Sequence, residues 1–151
     1  MSSKLNKLLL KDKTSYKICV LDNMANENEF LNATAQILKD GTEIVEFDGT
    51  KLSSNDYLSV GKKLRDLCGV FNALLIIKDR IDIAKLANAE GIALDKGSIS
   101  IQEAYKLTEG NLLLGYHVEC KNLPKKNELE LLDFIVSDTE INVDTKLFTA
   151  K

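Results

Sequence analysis

The sequence predicts an α/β protein built from parallel β/α units. Short apolar runs of strand length alternate with longer segments whose apolar residues recur at helical spacing. Charged residues follow directly after several of the apolar runs, as Lys78 and Asp79 do after the run at 73–77. Repeated units with short connections imply parallel pairing and right-handed crossovers.

The first unit comprises residues 16–39. Residues 16–21 (YKICVL) form a short apolar run rich in β-branched residues, which predicts a strand. Residues 28–39 carry apolar side chains at helical spacing, and Gly41 follows them as a C-terminal glycine commonly does. A strand and a helix are therefore predicted in that order.

The second unit repeats this arrangement. Residues 43–47 read as a strand, and Ser53 or Ser54 is the expected N-cap of the following helix. Apolar residues of this helix recur on one face as far as Cys68. The third strand is then expected at residues 73–77.

The remaining elements are shorter but keep the alternation. Helices are predicted at residues 81–89, 101–107 and 127–132, and strands at residues 92–94, 112–118 and 134–136. About six strands and five helices result, within a single domain of 151 residues. They fit either a doubly wound open sheet or an eight-stranded barrel that stops early, and composition does not choose between the two.

Composition argues against several classes of protein. The 20 basic and 23 acidic residues give a net charge of −3, without the basic cluster that nucleic-acid binding needs. No apolar run is long enough to cross a bilayer, so no membrane association is expected. Three cysteines without a CxxC pair suggest neither a disulfide framework nor a zinc site. A reducing, cytoplasmic location is the expectation.

Any site is expected where the strands end. Parallel sheets bind ligands at the carboxyl ends of their strands. Lys78 and Asp79 follow the third predicted strand, and Asp95 and Lys96 follow the fourth. These four side chains are therefore the first candidates for a binding site.

Four segments resemble thiamine phosphate synthase and its relative, the thiazole tautomerase. Residues 51–68 are similar to the second helix of that family and its lead-in, and residues 75–84 to its third strand, where Asn-Asp-Arg is usual. Residues 89–94 stand where the family has Ala-Asp-Gly-Val-His-Leu, and residues 133–136 with Thr145 and Lys146 resemble the sixth strand and a phosphate-side loop. The resemblance implies a (β/α)8 barrel, here as an incomplete TIM-barrel-like fold or a rearranged open sheet.

The resemblance also implies an activity and a set of ligands. Enzymes of this family join a pyrimidine diphosphate to a thiazole phosphate and release pyrophosphate, which requires Mg²⁺ and cations to neutralise the leaving group. Asp79 matches a magnesium-binding carboxylate, and Thr145 and Lys146 match a phosphate-contacting pair. Lys78, Lys96 and His117 are further candidates for contacts with a phosphorylated small molecule.

At other positions the chain departs from the family. Asp48 and Thr50 stand in place of two basic residues that hold the diphosphate, and Ser98 replaces a second metal-binding aspartate. His117 replaces a phosphate-binding serine, and Glu119 replaces a histidine. One remaining carboxylate is a poor site for Mg²⁺, which prefers several oxygen ligands.

Several of these residues also have structural interpretations. Asp79 precedes a predicted helix and suits a helix cap, while Asp48 and Gly49 suit a tight turn. His117, the sole histidine, fits a structural role on a strand as well as a functional one. Lys78 and Lys96 fit solvated charges at strand ends. No catalytic residue is identified.

The resemblance ends just after the sixth strand, where the family has two more. A sheet shortened in this way has two open edges, which favour pairing with another chain. A homo-oligomer or a partner chain covering these edges is therefore expected, and a split enzyme completed by a second chain is one form of it.

Two functions from different classes follow. The favoured hypothesis is a thiamine phosphate synthase-like protein that has lost catalysis and serves as a binding or interaction module. The alternative is an active thiamine phosphate synthase in thiamine biosynthesis, with Mg²⁺ on Asp79. A flavodoxin-like protein is disfavoured because residues 22–26 offer no glycine-rich loop after the first strand.

Overall fold

The strands form a single parallel sheet in which spatial order follows chain order. The computed structural model describes residues 15–108, 110–119, 123–137 and 147–149. Each strand pairs with the one before it and the one after it. The seven strands are β1 (Tyr16–Val20), β2 (Ile44–Asp48), β3 (Leu74–Lys78), β4 (Gly91–Leu94), β5 (Leu113–His117), β6 (Phe134–Ser137) and β7 (Leu147–Thr149).

Helices follow the first five strands. The first is preceded by a 3-10 turn at Met24–Asn26. Within the described ranges these helices are α1 (Glu27–Lys39), α2 (Ser54–Val70), α3 (Ile81–Leu86), α4 (Ile101–Thr108) and α5 (Lys126–Leu129).

Strand order decides between the two predicted architectures. In a doubly wound sheet the strand order reverses at a switch point, whereas here it runs from β1 to β7 without reversal. Right-handed crossovers then place every helix on the same face, and the sheet curls as part of a barrel. The predicted incomplete TIM-barrel-like fold is confirmed, and the doubly wound alternative is wrong.

The two faces of the sheet contribute to separate apolar cores. The outer core joins the sheet to the helices and includes Phe47, Tyr57 and Leu64. The inner core contains strand residues alone, among them Ile44 and Phe134. Burial on both faces explains why the strands read as nearly continuous apolar runs in the sequence.

Tyr57 of α2 connects the ends of two strands. Its hydroxyl lies 3.0 Å from the carbonyl oxygen of Phe47 and 2.7 Å from that of Lys78. The side chain is fully buried, and burial is the main reason that the pKa of Tyr57 is raised. A Cβ at Gly49 would lie 2.8 Å from Cδ1 of this ring, so the turn after β2 requires glycine.

Strand β1 exposes apolar residues on the inner face. Ile18 and Val20 are 40% and 53% exposed, although they point to the same face as the buried Tyr16. Strand β1 pairs only with β2 among the described residues. The expectation that another chain covers an edge of the sheet stays a prediction.

Element boundaries differ from the predictions at several ends. Helix α3 ends at Leu86 rather than at residue 89, because Asn88 has a left-handed backbone with φ of 57°. Strand β7 was not among the predicted strands and pairs in parallel with β6. Of the two serines predicted as N-cap of α2, Ser53 is the cap, and its side chain accepts a hydrogen bond from the Asp56 N–H.

No helix in the described part of the chain combines the length and apolar character that a membrane span requires.

Candidate functional site

A cavity of about 410 Å³ lies at the carboxyl ends of β3 to β6. This is the end of a parallel sheet at which ligands bind. Four of the predicted site residues, Lys78, Asp95, Lys96 and His117, lie together in its wall. The other lining residues are Tyr116, Val118, Glu119, Val136 and Ser137.

Lys78 and Asp95 form an ion pair between the ends of two adjacent strands. The Lys78 ammonium donates a hydrogen bond of 2.6 Å to Asp95 Oδ2, and the Lys78 side chain is only 13% exposed. The other carboxylate oxygen of Asp95 accepts a bond of 2.8 Å from the Gly97 N–H. The hydrogen bond from Lys78 is the main reason that the pKa of Asp95 is lowered. Lys78 is therefore a largely buried, paired charge rather than a solvated one.

His117 forms a second pair with a buried carboxylate. Its Nε2 lies 2.8 Å from both carboxylate oxygens of Glu46, a residue 71 positions earlier in the chain. Glu46 is 1% exposed, and it also accepts a hydrogen bond from the Tyr16 hydroxyl. Burial first, and then the charge of Glu46, raise the pKa of Tyr16 well above its ordinary value. The carboxylate is thus held by donors from β1 and β5.

Sequence reasoning missed Glu46, although one signal could have found it. The residue interrupts the apolar strand Ile44–Asp48 at an inward position, since it aligns with Ile18 and Ile76 and alternates with the outward Phe47. A carboxylate at such a position requires donors. Its partner is His117 of β5. The curvature of the sheet brings β2 and β5 together across the inner face, although the two strands are not neighbours.

A third pair lies at the rim of the cavity. The Lys96 ammonium is 3.2 Å from a carboxylate oxygen of Glu119, and both side chains are largely exposed. An exposed pair of this kind contributes little to stability. It nevertheless places a negative charge beside the second lysine of the cavity.

Asp79 is not the cap of the helix that follows it. Arg80 occupies the N-cap position of α3, so the helix-cap interpretation is wrong. Asp79 has a left-handed backbone with φ of 67°, and its N–H donates to the Ala93 carbonyl oxygen at 2.9 Å. Aspartate is one of the few residues other than glycine that adopt this conformation.

The described residues do not fit a magnesium site. No group of three or more histidine, cysteine, aspartate or glutamate side chains that could hold a metal occurs among them. Asp79 would contribute one carboxylate, and Mg²⁺ prefers octahedral coordination by oxygen. Ser98, at the position of the second expected ligand, donates its hydroxyl to Asp95. Binding of Mg²⁺ by Asp79 stays a prediction.

Asp48 forms the tight turn that its sequence suggests. Its Oδ1 accepts hydrogen bonds from the Thr50 N–H at 3.1 Å and from the Thr50 hydroxyl at 2.6 Å. These bonds hold a carboxylate at the end of β2, where the resemblance implies a basic residue. Thr145, Lys146 and Cys120 lie outside the described residues.

Comparison with known proteins agrees with the resemblance. A family model described as thiamine monophosphate synthase matches residues 17–146. A thiamine-phosphate synthase from Fusobacterium nucleatum is 28% identical over 140 residues, which are 91% of this chain and 66% of that protein. One from Campylobacter jejuni is 26% identical over 128 residues, or 83% of this chain and 57% of the relative. The chain therefore spans less than two thirds of the length of these relatives.

A solved structure gives the same fold. Thiamine phosphate pyrophosphorylase from Pyrococcus furiosus superimposes with a TM-score of 0.71 and 20% sequence identity. The match covers 89% of this chain and 65% of that structure. The curled parallel sheet is thus an arrangement that an experimental structure also contains.

Proposed function

Because the chain belongs to the thiamine monophosphate synthase family, we propose that it is a thiamine phosphate synthase-like protein that binds a small molecule without catalysing the family reaction. The ligand would occupy the cavity at the carboxyl ends of β3 to β6. The fold is that of the family, whereas the charges at the proposed site differ from what its reaction needs. A cytoplasmic location is part of this proposal.

The charge at the strand ends is the observation that carries the proposal. A diphosphate leaving group develops negative charge, which cations or metal ions must neutralise. At the end of β2 the chain places the carboxylate of Asp48, where the resemblance implies a basic residue. The nearby ammonium group of Lys78 is already neutralised by Asp95. These side chains oppose the departure of pyrophosphate rather than assist it.

An active thiamine phosphate synthase is the alternative. Family membership and the clustering of Lys78, Lys96 and His117 in one cavity favour it. In this alternative Asp79 holds Mg²⁺, Thr145 and Lys146 contact phosphate, and a partner chain could complete the site. The enzyme would act in thiamine biosynthesis as a transferase.

A direct assay separates the two. The purified, folded chain is incubated with hydroxymethylpyrimidine diphosphate, thiazole phosphate and Mg²⁺, and thiamine phosphate is sought by mass spectrometry. The Fusobacterium nucleatum relative serves as the positive control. We expect no product above a control without protein. Product formation by this chain, alone or with a co-purifying chain, would overturn the loss of catalysis.

A further inference from the structure

The basic side chains that the described residues place in the cavity wall are all paired with carboxylates. Lys78 pairs with Asp95, Lys96 with Glu119, and His117 with Glu46. From this pairing we infer that the cavity selects an uncharged or zwitterionic small molecule and rejects polyphosphates. The inference rests on the proposed function and specifies the ligand class of the same site. It replaces the expectation that these three residues contact phosphate.

The balance of charge provides the first step. The three pairs contain two lysines, one histidine and three carboxylates. When His117 is protonated the positive and negative charges are equal, and when it is neutral the set carries a net negative charge. A polyanion entering the cavity would meet as much negative as positive charge at short range. Electrostatic attraction, which is the usual source of affinity for a diphosphate, is therefore absent from these side chains.

The burial of Lys78 provides the second step. Its side chain is 13% exposed, and its bond to Asp95 is 2.6 Å long. An anion that displaced Asp95, or that used the remaining N–H groups of the Lys78 ammonium, would meet the Asp95 carboxylate at short range and be repelled by it. Displacing Asp95 would also break a partly buried pair, which is costly because the remaining charge lacks compensation. An uncharged ligand leaves the pair intact and meets no such repulsion.

The third step concerns the hydrogen-bonding groups that the three pairs leave available to a ligand. Nε2 of His117 is occupied by Glu46, so Nδ1 is the ring nitrogen left to bond a ligand. Tyr116 adds a phenol group and an aromatic ring to the cavity wall. Hydrogen bonds from a few such groups, together with apolar contacts, orient uncharged ligands in pockets of this size. A small planar heterocycle with hydrogen-bonding edges matches this chemistry.

The exclusion of anions is tested with inorganic pyrophosphate. Isothermal titration compares the wild-type chain with Asp95→Asn, which removes the carboxylate bound to Lys78. Asp66→Asn, on the exposed surface of α2, removes the same charge away from the cavity and is the matched control. We expect the affinity of Asp95→Asn for pyrophosphate to rise about tenfold, and that of the control to stay unchanged. Equal affinities for the wild type and Asp95→Asn, or tight binding by the wild type, would overturn the inference.

The ligand class is tested with a matched pair of compounds. Hydroxymethylpyrimidine and its diphosphate share one ring and differ in charge. The chain has one histidine, so the Hε1 resonance of its imidazole in the NMR spectrum is unambiguous and reports on the cavity. We expect the uncharged compound to shift this resonance at lower concentration than the diphosphate. Stronger binding of the diphosphate, or no shift with either compound, would contradict the proposed ligand class. The assay for thiamine phosphate tests the loss of catalysis, and its outcome does not depend on which compound binds more tightly. Failure of the ligand class and failure of the proposed function are therefore distinguishable.

Discussion

His117 Nε2 lies 2.8 Å from both carboxylate oxygens of Glu46, and the two residues come from strands that do not pair with each other. The contact crosses the concave face of the sheet. A buried carboxylate that is deprived of its donors destabilises a protein strongly. The stability of the fold and the chemistry of the cavity are therefore coupled through this pair.

Replacing His117 should destabilise the chain through Glu46. In His117→Ala the buried carboxylate keeps the Tyr16 hydroxyl but loses its ring-nitrogen partner, and we expect a loss of about 3 kcal/mol in the free energy of unfolding. Urea denaturation measures it. The double variant Glu46→Leu/His117→Ala should recover part of this loss, because the unpaired charge is gone. A double variant no more stable than His117→Ala would contradict the argument.

Asp95 should make stability depend on pH in the acid range. Lys78 lowers the pKa of Asp95 in the folded state from its ordinary value of 3.8. Its contribution is therefore present above the unfolded-state pKa and is lost as the pH falls through the lower, folded-state pKa. Asp95→Asn should lose less stability than the wild type below about pH 5. Urea titrations at several pH values test this, and parallel pH profiles would show that Asp95 does not contribute.

Tyr57→Phe should weaken the connection between β2 and β3. The substitution removes a buried hydroxyl that lies between two backbone carbonyl oxygens. We expect a loss of roughly 1–3 kcal/mol, because both acceptors are left without this donor. Tyr105→Phe, on the exposed surface of α4, is the control and should be neutral. Equal stabilities of the two variants would show that the hydroxyl contributes nothing.

Asp79→Ala separates backbone strain from metal binding. The residue has φ of 67° and does not cap α3, so alanine should cost about 1 kcal/mol through its poor fit to this conformation. We expect the same cost with and without Mg²⁺ in thermal unfolding experiments. Asp79→Gly should be at least as stable as the wild type, since glycine adopts this backbone freely. Magnesium-dependent stabilisation of the wild type that disappears in Asp79→Ala would favour the alternative, active enzyme.

The association state tests the expectation of a partner for the open edge. Ile18 and Val20 are exposed on the inner face of β1, and sedimentation velocity should show a dimer if a second copy covers them. Val20→Lys should then shift the distribution towards the monomer, whereas Val70→Lys, at an exposed site on α2, should not. A wild-type chain that sediments as a monomer at all concentrations would contradict self-association.

The order of secondary structure could be predicted from local pattern. Apolar runs flanked by caps and glycines predicted β1 to β6 and the helices between them, because each signal is confined to a few neighbouring residues. The choice between barrel and doubly wound sheet depended on strand order. The strand order depends on the face of the sheet against which each helix packs. Periodicity does not reveal that face, so the prediction of strand order came from the resemblance.

The candidate site could be predicted only in part. Lys78, Asp95 and Lys96 were identified because the carboxyl ends of parallel strands converge on one edge, and His117 was identified from the resemblance. The pairing of the basic residues with carboxylates was not predicted, since the approach of Glu46 to His117 depends on the curvature of the sheet. The cap assigned to Asp79 failed because the helix begins at Ile81, as predicted, with Arg80 rather than Asp79 as its N-cap, while Asp79 has a left-handed backbone.

The succession of strands has a consequence for how the molecule assembles. Because each strand pairs with its predecessor in the chain, the sheet can grow unit by unit as the polypeptide leaves the ribosome, with only modest loop closures at each step. The bond from His117 to Glu46 is different, as it spans 71 positions. Glu46 therefore gains its histidine partner only when β5 joins the sheet. In a nascent chain that ends before β5, burial of the Glu46 carboxylate would lack this partner.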